Sequence, residues 1–292
     1  MISVKNITVS FEQVTVLKNL TFQIYPREII GLVAPNGTGK STLLNVLMNY
    51  LSPTSGKVFF DDLTYQNKQT ERKIHEQITM MPDQSDLYDS LSGSDHLKIY
   101  QKMWSKTAID YLKVIDDLHM ENYVKRKVGE YSLGMRQRLC FAMQIVANTP
   151  YMLMDEVMNG LDPTNVTLLS QLLIQKREEG KTIIISSHLL ENLEQYSDRI
   201  FFLKDGNFIK EIKKNEDNEP VVKFKFTLKK TTTINGKQVT TLPNGTSYIP
   251  FVKNTDDIAS IFQQLQVLGV EEMAITAIDL KDLYSFYFET NA

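Results

Sequence analysis

A single cysteine, Cys140, leaves this chain no intramolecular disulfide, and its place in an apolar helical pattern makes a buried cytosolic thiol the expected reading. Long hydrophobic runs are also missing. Crossing a bilayer as a helix takes roughly 20 apolar residues, whereas the richest stretches here, such as Thr182-Ile183-Ile184-Ile185, are strand-sized. Charge of one sign is not in excess: 32 Lys and Arg stand against 35 Asp and Glu, a formal net charge of -3. That balance gives no electrostatic reason to expect a nucleic-acid binder or a protein held on an anionic membrane, so any membrane association is expected to be protein-mediated. Met1-Ile2-Ser3-Val4-Lys5-Asn6 lacks the basic and apolar regions of a secretory signal, which points to the cytosol. Internal repeats and low-complexity tracts are absent. What remains is an ordinary globular composition over 292 residues, 42% hydrophobic and 23% charged, enough for a large domain with a small appendage.

The order of patterns along the chain is informative. Val4, Ile7, Val9 and Phe11, then Val14, Val16, Leu20, Phe22 and Ile24, alternate as antiparallel strands do. Glu28–Val33 reads as a buried strand running into a Gly-rich turn and a helix with Leu43, Leu44, Leu47 and Met48 on its apolar face. From about 83 to 135 the pattern is mainly helical, with Leu97, Tyr100, Met103 and Trp104 on one face and Ile109, Leu112, Val114, Ile115 and Leu118 on the next. Apolar strands return at Tyr151–Met154, Thr182–Ser186 and Arg199–Leu203, and their alternation with helices implies a mostly parallel sheet covered on both faces. A polar, charged stretch ending at Pro220 marks a linker between a first domain, 1–212, and a small α+β appendage, 218–292. In the appendage Val222, Phe224, Phe226 and Leu228 alternate with polar residues, and Asn235-Gly236 between Thr-rich flanks predicts a type I′ hairpin. Ile258, Ile261, Phe262, Leu265 and Leu268 mark a helix face opened by Asp256 or Asp257 and closed by Gly269.

Strand, glycine loop and helix together form a phosphate-binding unit. In Asn36-Gly37-Thr38-Gly39-Lys40-Ser41-Thr42, successive backbone N–H groups and a helix N-terminus are arranged to meet phosphate oxygens. Lys40 would reach the β- and γ-phosphates of a nucleotide, and Ser41 would place its hydroxyl on the Mg²⁺ bridging them. The pattern departs from its usual form at Ala34, where glycine is expected. Alanine adds only a Cβ, which is tolerated unless that position requires positive φ.

Four further segments follow in the order and spacing of an ABC-type nucleotide-binding domain, a resemblance covering about residues 1 to 210. Tyr131-Ser132-Leu133-Gly134-Met135-Arg136-Gln137-Arg138 resembles the family signature, keeping Ser132 and Gly134. Its Ser-Leu-Gly-Met form resembles a bacterial branch that includes bacitracin-resistance and lantibiotic-immunity exporters. Tyr151–Glu156 resembles the Walker B strand, Asn159-Gly160-Leu161-Asp162-Pro163 the D-loop, and Ile183–His188 the switch-histidine strand. Met80-Met81-Pro82 precedes the Q-loop position, where Asp83 stands in place of the usual glutamine and Gln84 follows.

The resemblance implies a P-loop NTPase fold: an ABC-type ATPase core with an antiparallel β subdomain and a helical insert. It implies ATP and Mg²⁺, with Asp155 supporting the metal, Glu156 activating the attacking water and His188 bonding the γ-phosphate. Either Asp83 or Gln84 would orient the water or metal, and Phe11 stands where the family stacks an aromatic on adenine. Ser132 and Gly134 would donate to a phosphate held by a second subunit, and Asp162 would contact that subunit. The implied assembly is a homodimer, or a heterodimer with a related ATPase, that drives an integral membrane permease from the inner face of the cell membrane, with peptides as cargo. A soluble ABC ATPase and an ATP-gated regulatory subunit are the alternatives.

Overall fold

In the computed structural model, residues 1–187, 190–214, 219–226 and 232–289 are described. They form two compact units, Met1–Lys214 and Asn215–Ala292.

The first unit runs β1 (Ile2–Phe11), β2 (Val14–Ile24), β3 (Ile29–Val33), α1 (Lys40–Leu47), β4 (Ser55–Phe60), β5 (Leu63–Thr64), α2 (Lys68–His75), β6 (Ile78–Met80), α3 (Gly93–Met103), α4 (Tyr111–Asp117) and α5 (Leu133–Ala147). It continues with β7 (Tyr151–Met154), α6 (Pro163–Glu178), β8 (Thr182–Ser186), α7 (Leu190–Tyr196), β9 (Arg199–Lys204) and β10 (Asn207–Lys213). The alternating strands β1 and β2 pair antiparallel, Val4 opposite Phe22, and β4 pairs with the other edge of β1, Val58 opposite Val4. Ile2, Val4, Ile7 and Val9 are buried: period-two patterning holds on either side of an irregularity between Val4 and Ile7 and puts this sheet's apolar face on the core.

The second sheet has the order β10-β9-β3-β8-β7-β6, parallel from β9 to β6, with β10 antiparallel at one edge. All of β3, β7 and β8 is buried, which is why these strands read as continuous apolar runs rather than alternating ones. In such a sheet the carboxyl ends of parallel strands form the ligand edge. Here those ends deliver the glycine loop after β3, Pro82–Gln84 after β6, Asp155–Glu156 after β7 and Ser187 after β8.

Helix α5 is buried almost all round from Leu139 to Ala147, with Cys140 fully enclosed, and burial pushes its thiol up to about 12. Two apolar residues expected on inward faces point outward instead: Met103 is 63% exposed and Leu112 58%. Met103 lies six residues from the buried Leu97, about 1.7 turns, while Tyr100 and Trp104 keep the helical spacing and pack with their tilted rings 5.0 Å apart. Leu112 in the first turn of α4 is two residues, about 200° of rotation, from the buried Val114.

The second unit contains β11 (Val221–Phe224), β12 (Thr233–Ile234), β13 (Lys237–Gln238), β14 (Thr240–Thr241), β15 (Ser247–Pro250), α8 (Ile258–Val267), β16 (Met273–Thr276) and α9 (Leu280–Phe288). Four of its strands form an antiparallel sheet in the order β14-β15-β11-β16. Asn235 and Gly236 take φ of 51° and 74°, the doubly left-handed turn a type I′ hairpin requires, and join β12 to β13. The alternation through Val222 and Phe224 stops early: β11 ends at Phe224, Phe226 is partly exposed, and Leu228 lies outside the described residues. Of the two candidate caps of α8, Asp257 takes the role, accepting from the N–H groups of Ala259 and Ser260, while Asp256 accepts from the Val252 N–H and pairs with Lys237. Ile261 and Leu265 are buried, but Ile258 and Leu268 at the helix ends are exposed.

Candidate functional site

The turn between β3 and α1 depends on glycine at two points. Gly37 has φ of 76° and Gly39 of 109°, and a Cβ on Gly39 would lie 2.9 Å from Leu17 Cδ2 and 3.0 Å from Val16 Cγ1. Both the backbone and the space therefore exclude a larger residue at Gly39. Ala34 is buried and is not among the left-handed residues, so the missing glycine costs the loop nothing in conformation. Thr38 steadies the turn by donating to the Pro35 carbonyl at 2.7 Å.

Lys40, the first residue of α1, is 5% exposed and folds back into the loop, where its Nζ donates to the carbonyls of Ala34 at 2.7 Å and Pro35 at 3.0 Å. Burial lowers its pKa, and the carboxylates of Glu156 and Asp155 act against that shift. A buried cation held by two neutral carbonyls is well placed to accept stronger, anionic acceptors such as phosphate oxygens.

Next to it Ser41 donates to Asp155 Oδ2 at 2.5 Å, and Ser186, the last residue of β8, donates to Asp155 Oδ1. The Ser41 hydroxyl and the Asp155 carboxylate are hard oxygen donors in contact. Among the described residues no group of three or more His, Cys, Asp or Glu side chains is arranged to hold a metal ion by itself. The pair suits Mg²⁺, which is usually held by one or two protein oxygens with the rest supplied by water and substrate phosphates.

Glu156 has φ of 50°, a left-handed conformation uncommon for a residue with a Cβ and concentrated at functional sites. Its N–H is pinned by Ser186, 3.1 Å to the carbonyl and 3.0 Å to the hydroxyl, and its carboxylate accepts from Asn159 Nδ2 at 2.5 Å. Asp155, Glu156 and Asn159 line a cavity of about 550 Å³ with Asp83, Gln84, Gln137 and Tyr100. Asp83 is largely committed to its own turn, accepting from the Ser85 N–H at 2.8 Å and the Ser85 hydroxyl at 2.6 Å, and these bonds hold its pKa below the usual carboxylate value. Gln84 donates to Gln137 Oε1 at 2.6 Å.

Of the predicted residues, the loop from Asn36 to Thr42 does not line that cavity, and neither do Ser132, Gly134, Asp162 and Phe11. Ser132 caps α5, accepting from the Met135 N–H at 3.3 Å, and it is exposed beside Leu133, with Gly134 partly exposed in the same turn. Asp162 caps α6, accepting from the Asn165 N–H at 3.0 Å, and is exposed as well. Phe11 ends β1 at 48% exposure, so it is not a core phenylalanine. His188 lies outside the described residues.

Comparison with known proteins accords with this geometry. The sequence pattern of the ABC transporter family matches residues 17–159. The lantibiotic transport ATP-binding protein SrtF of Streptococcus pyogenes is 32% identical over 211 residues, 72% of this chain and 90% of that one. This chain belongs to the ABC transporter ATP-binding proteins. It is an ABC-type ATPase: it takes ATP with Mg²⁺ and hydrolyses it. The bacitracin transport ATP-binding protein BcrA of Enterococcus faecalis is 31% identical over 74% of this chain and 70% of its own length. Among solved structures, a dimeric ATP-binding cassette in a post-hydrolysis state with ADP and Pi superposes with a TM-score of 0.68 at 25% identity, covering 74% of this chain and all of that one. No described helix is long and apolar enough to cross a membrane.

Three residues of this ABC site carried no role in the sequence reading. Ser186, Asn159 and Gln137 all lay inside the quoted motifs; the partners of Ser186 and Gln137 are distant along the chain, while Asn159 bonds Glu156 three residues before it. For Gln137 a signal existed: a glutamine just ahead of the wholly apolar stretch Leu139–Phe141 calls for a polar partner once buried.

Proposed function

We propose that this chain is the ATP-hydrolysing half of an exporter of amphipathic or antimicrobial peptides, paired with a second ATPase subunit and docked on a membrane permease at the cytoplasmic face. The observation that carries the reading is the convergence of Lys40, Ser41, Asp155 and Glu156 at the ends of β3 and β7, with the Glu156 carboxylate held by Asn159. Similarity to lantibiotic and bacitracin transport proteins supports the peptide cargo.

In this reading the N–H groups from Asn36 to Thr42 receive the phosphates, and Lys40 exchanges the Ala34 and Pro35 carbonyls for β- and γ-phosphate oxygens. Ser41 and Asp155 would hold Mg²⁺, which would neutralise phosphate charge when bound. Glu156 accepts a proton from the attacking water as its oxygen bonds to the γ-phosphorus and the bond to the ADP oxygen breaks. Gln84, with Asp83 as the alternative, orients that water or the metal, and Phe11 stacks on adenine. His188 bonds the γ-phosphate. Ser132 and Gly134 serve the nucleotide of the opposing subunit, where the N-terminus of α5 adds its dipole, and Asp162 meets that subunit. A ligand contacting both subunits favours the closed pair, which hydrolysis reopens.

The test is affinity purification of Glu156→Gln from detergent-solubilised cells with ATP present. Recovery of a polytopic permease is expected. Recovery of ATP-bound dimers with only soluble partners would overturn the transporter reading in favour of a soluble ATPase.

A further inference from the structure

Gln137 sits in the second turn of α5, five residues beyond its cap Ser132, and is 5% exposed. Its side chain touches two other segments of the site. Nε2 donates to the carbonyls of Val157 at 2.8 Å and Glu156 at 3.2 Å, and Oε1 accepts from Gln84 Nε2 at 2.6 Å. The polarity of this chain is fixed without choice. Main-chain carbonyls only accept, so the amide nitrogen of Gln137 must face Glu156 and Val157, and its oxygen must then accept from Gln84. Gln84 accordingly turns its NH₂ to Gln137, which leaves its carbonyl oxygen as the acceptor end in the cavity it shares with Asp155 and Glu156.

The contact matters because of where it acts. Glu156 is held left-handed, at φ 50°, with its N–H fixed by Ser186 on one side. The bonds from Gln137 fix the carbonyl side of the same residue and the next one. With both faces of the strained peptide tied, the carboxylate direction is set, and Asn159 completes it. One buried amide thus links the helix carrying Ser132 and Gly134 to the backbone of Glu156 and to Gln84.

We infer that Gln137 is a positioning residue for ATP hydrolysis, holding Glu156 and Gln84 in mutual register through its three hydrogen bonds and acting only through them. The inference rests on Glu156 being the base. Nucleotide binding by the loop and Lys40 does not pass through it, so its loss falls on kcat and spares KM.

The experiment compares the full chain with Gln137→Met, which keeps volume but not the amide, in both the native and the Glu156→Gln backgrounds. Binding stoichiometry for a non-hydrolysable ATP analogue gives the active fraction. In the native background kcat per active site is expected to fall by about 10- to 100-fold, the scale for residues that support a reacting group, with KM for ATP changed less than threefold. In Glu156→Gln, where single-turnover release of phosphate is followed for hours, the added change is expected to fall below twofold. A kcat within twofold of native, or equal losses in both backgrounds, would overturn the inference. Near-normal turnover in Glu156→Gln alone would instead overturn the base assignment. Should Gln137→Met fail to fold, Gln137→Asn keeps a polar group in the buried space but not the reach, and is read by the same criteria.

Discussion

Both units of the chain use polar residues in caps and ion pairs, but the first also gathers them at one place. In Met1–Lys214 polar groups distant in sequence are brought together at one sheet edge: Ser41 with Asp155, Ser186 with Glu156, Gln84 with Gln137. They include a buried cation on carbonyls and a carboxylate-bearing residue in left-handed backbone, arrangements that cost stability unless chemistry requires them. In Asn215–Ala292 polar side chains serve caps and ion pairs. Asp257 and Asp279 cap α8 and α9, Lys223 pairs with Asp279 at 2.6 Å and with the buried Asp282, and Lys237 pairs with Asp256. The contrast teaches where to look: chemistry is sought where polar groups from distant segments converge around strained backbone and a buried cation, and stability where they close caps and ion pairs.

If the contrast holds, substitutions of the first unit's converging polar groups and left-handed loop glycines change chemistry, and those in the second unit change stability. The largest effect is expected from Glu156→Gln, which should lower ATP turnover by about 10²- to 10⁴-fold with nucleotide affinity preserved, read by phosphate release and equilibrium binding. Gly39→Ala forces a Cβ into left-handed backbone against Leu17. A cost of about 1–3 kcal/mol in the loop should weaken ATP binding by roughly 5- to 150-fold in calorimetric titration. Lys223→Met leaves Asp282 buried without its cation, and denaturant unfolding should show a loss of about 2 kcal/mol while ATP turnover stays native. A tenfold fall in turnover there would break the comparison by giving the second unit a part in hydrolysis. The smallest change is expected from Ala34→Gly: because Ala34 is not left-handed, turnover should stay within about twofold, with a stability loss of about 0.5–1 kcal/mol.

Much of the first unit was legible in the sequence because phosphate chemistry demands fixed residue types at short spacings. The loop from Asn36 to Thr42, the acid pair after β7 and the strands β3, β7 and β8 are each encoded within a few consecutive residues. The contacts of Gln137 and Ser186 were not, since a hydrogen bond across 20 or 30 residues leaves no local pattern. Apolar periodicity misplaced Met103 and Leu112 because an apolar side chain on a helix is not bound to face inward, and single exposed ones are common. In the second unit Asn235-Gly236 announced its hairpin through backbone conformation alone. The choice between Asp256 and Asp257 as the cap turned on Lys237, nineteen residues away, which draws Asp256 out of that role.

The most direct test of the claim that Glu156 performs the chemistry and not the binding is the identity of the nucleotide retained by Glu156→Gln. The variant is incubated with ATP and Mg²⁺, freed of unbound nucleotide and denatured, and the released nucleotide is separated by chromatography. Intact ATP is the predicted result. ADP in its place would mean that hydrolysis proceeds without the Glu156 carboxylate and would contradict the account.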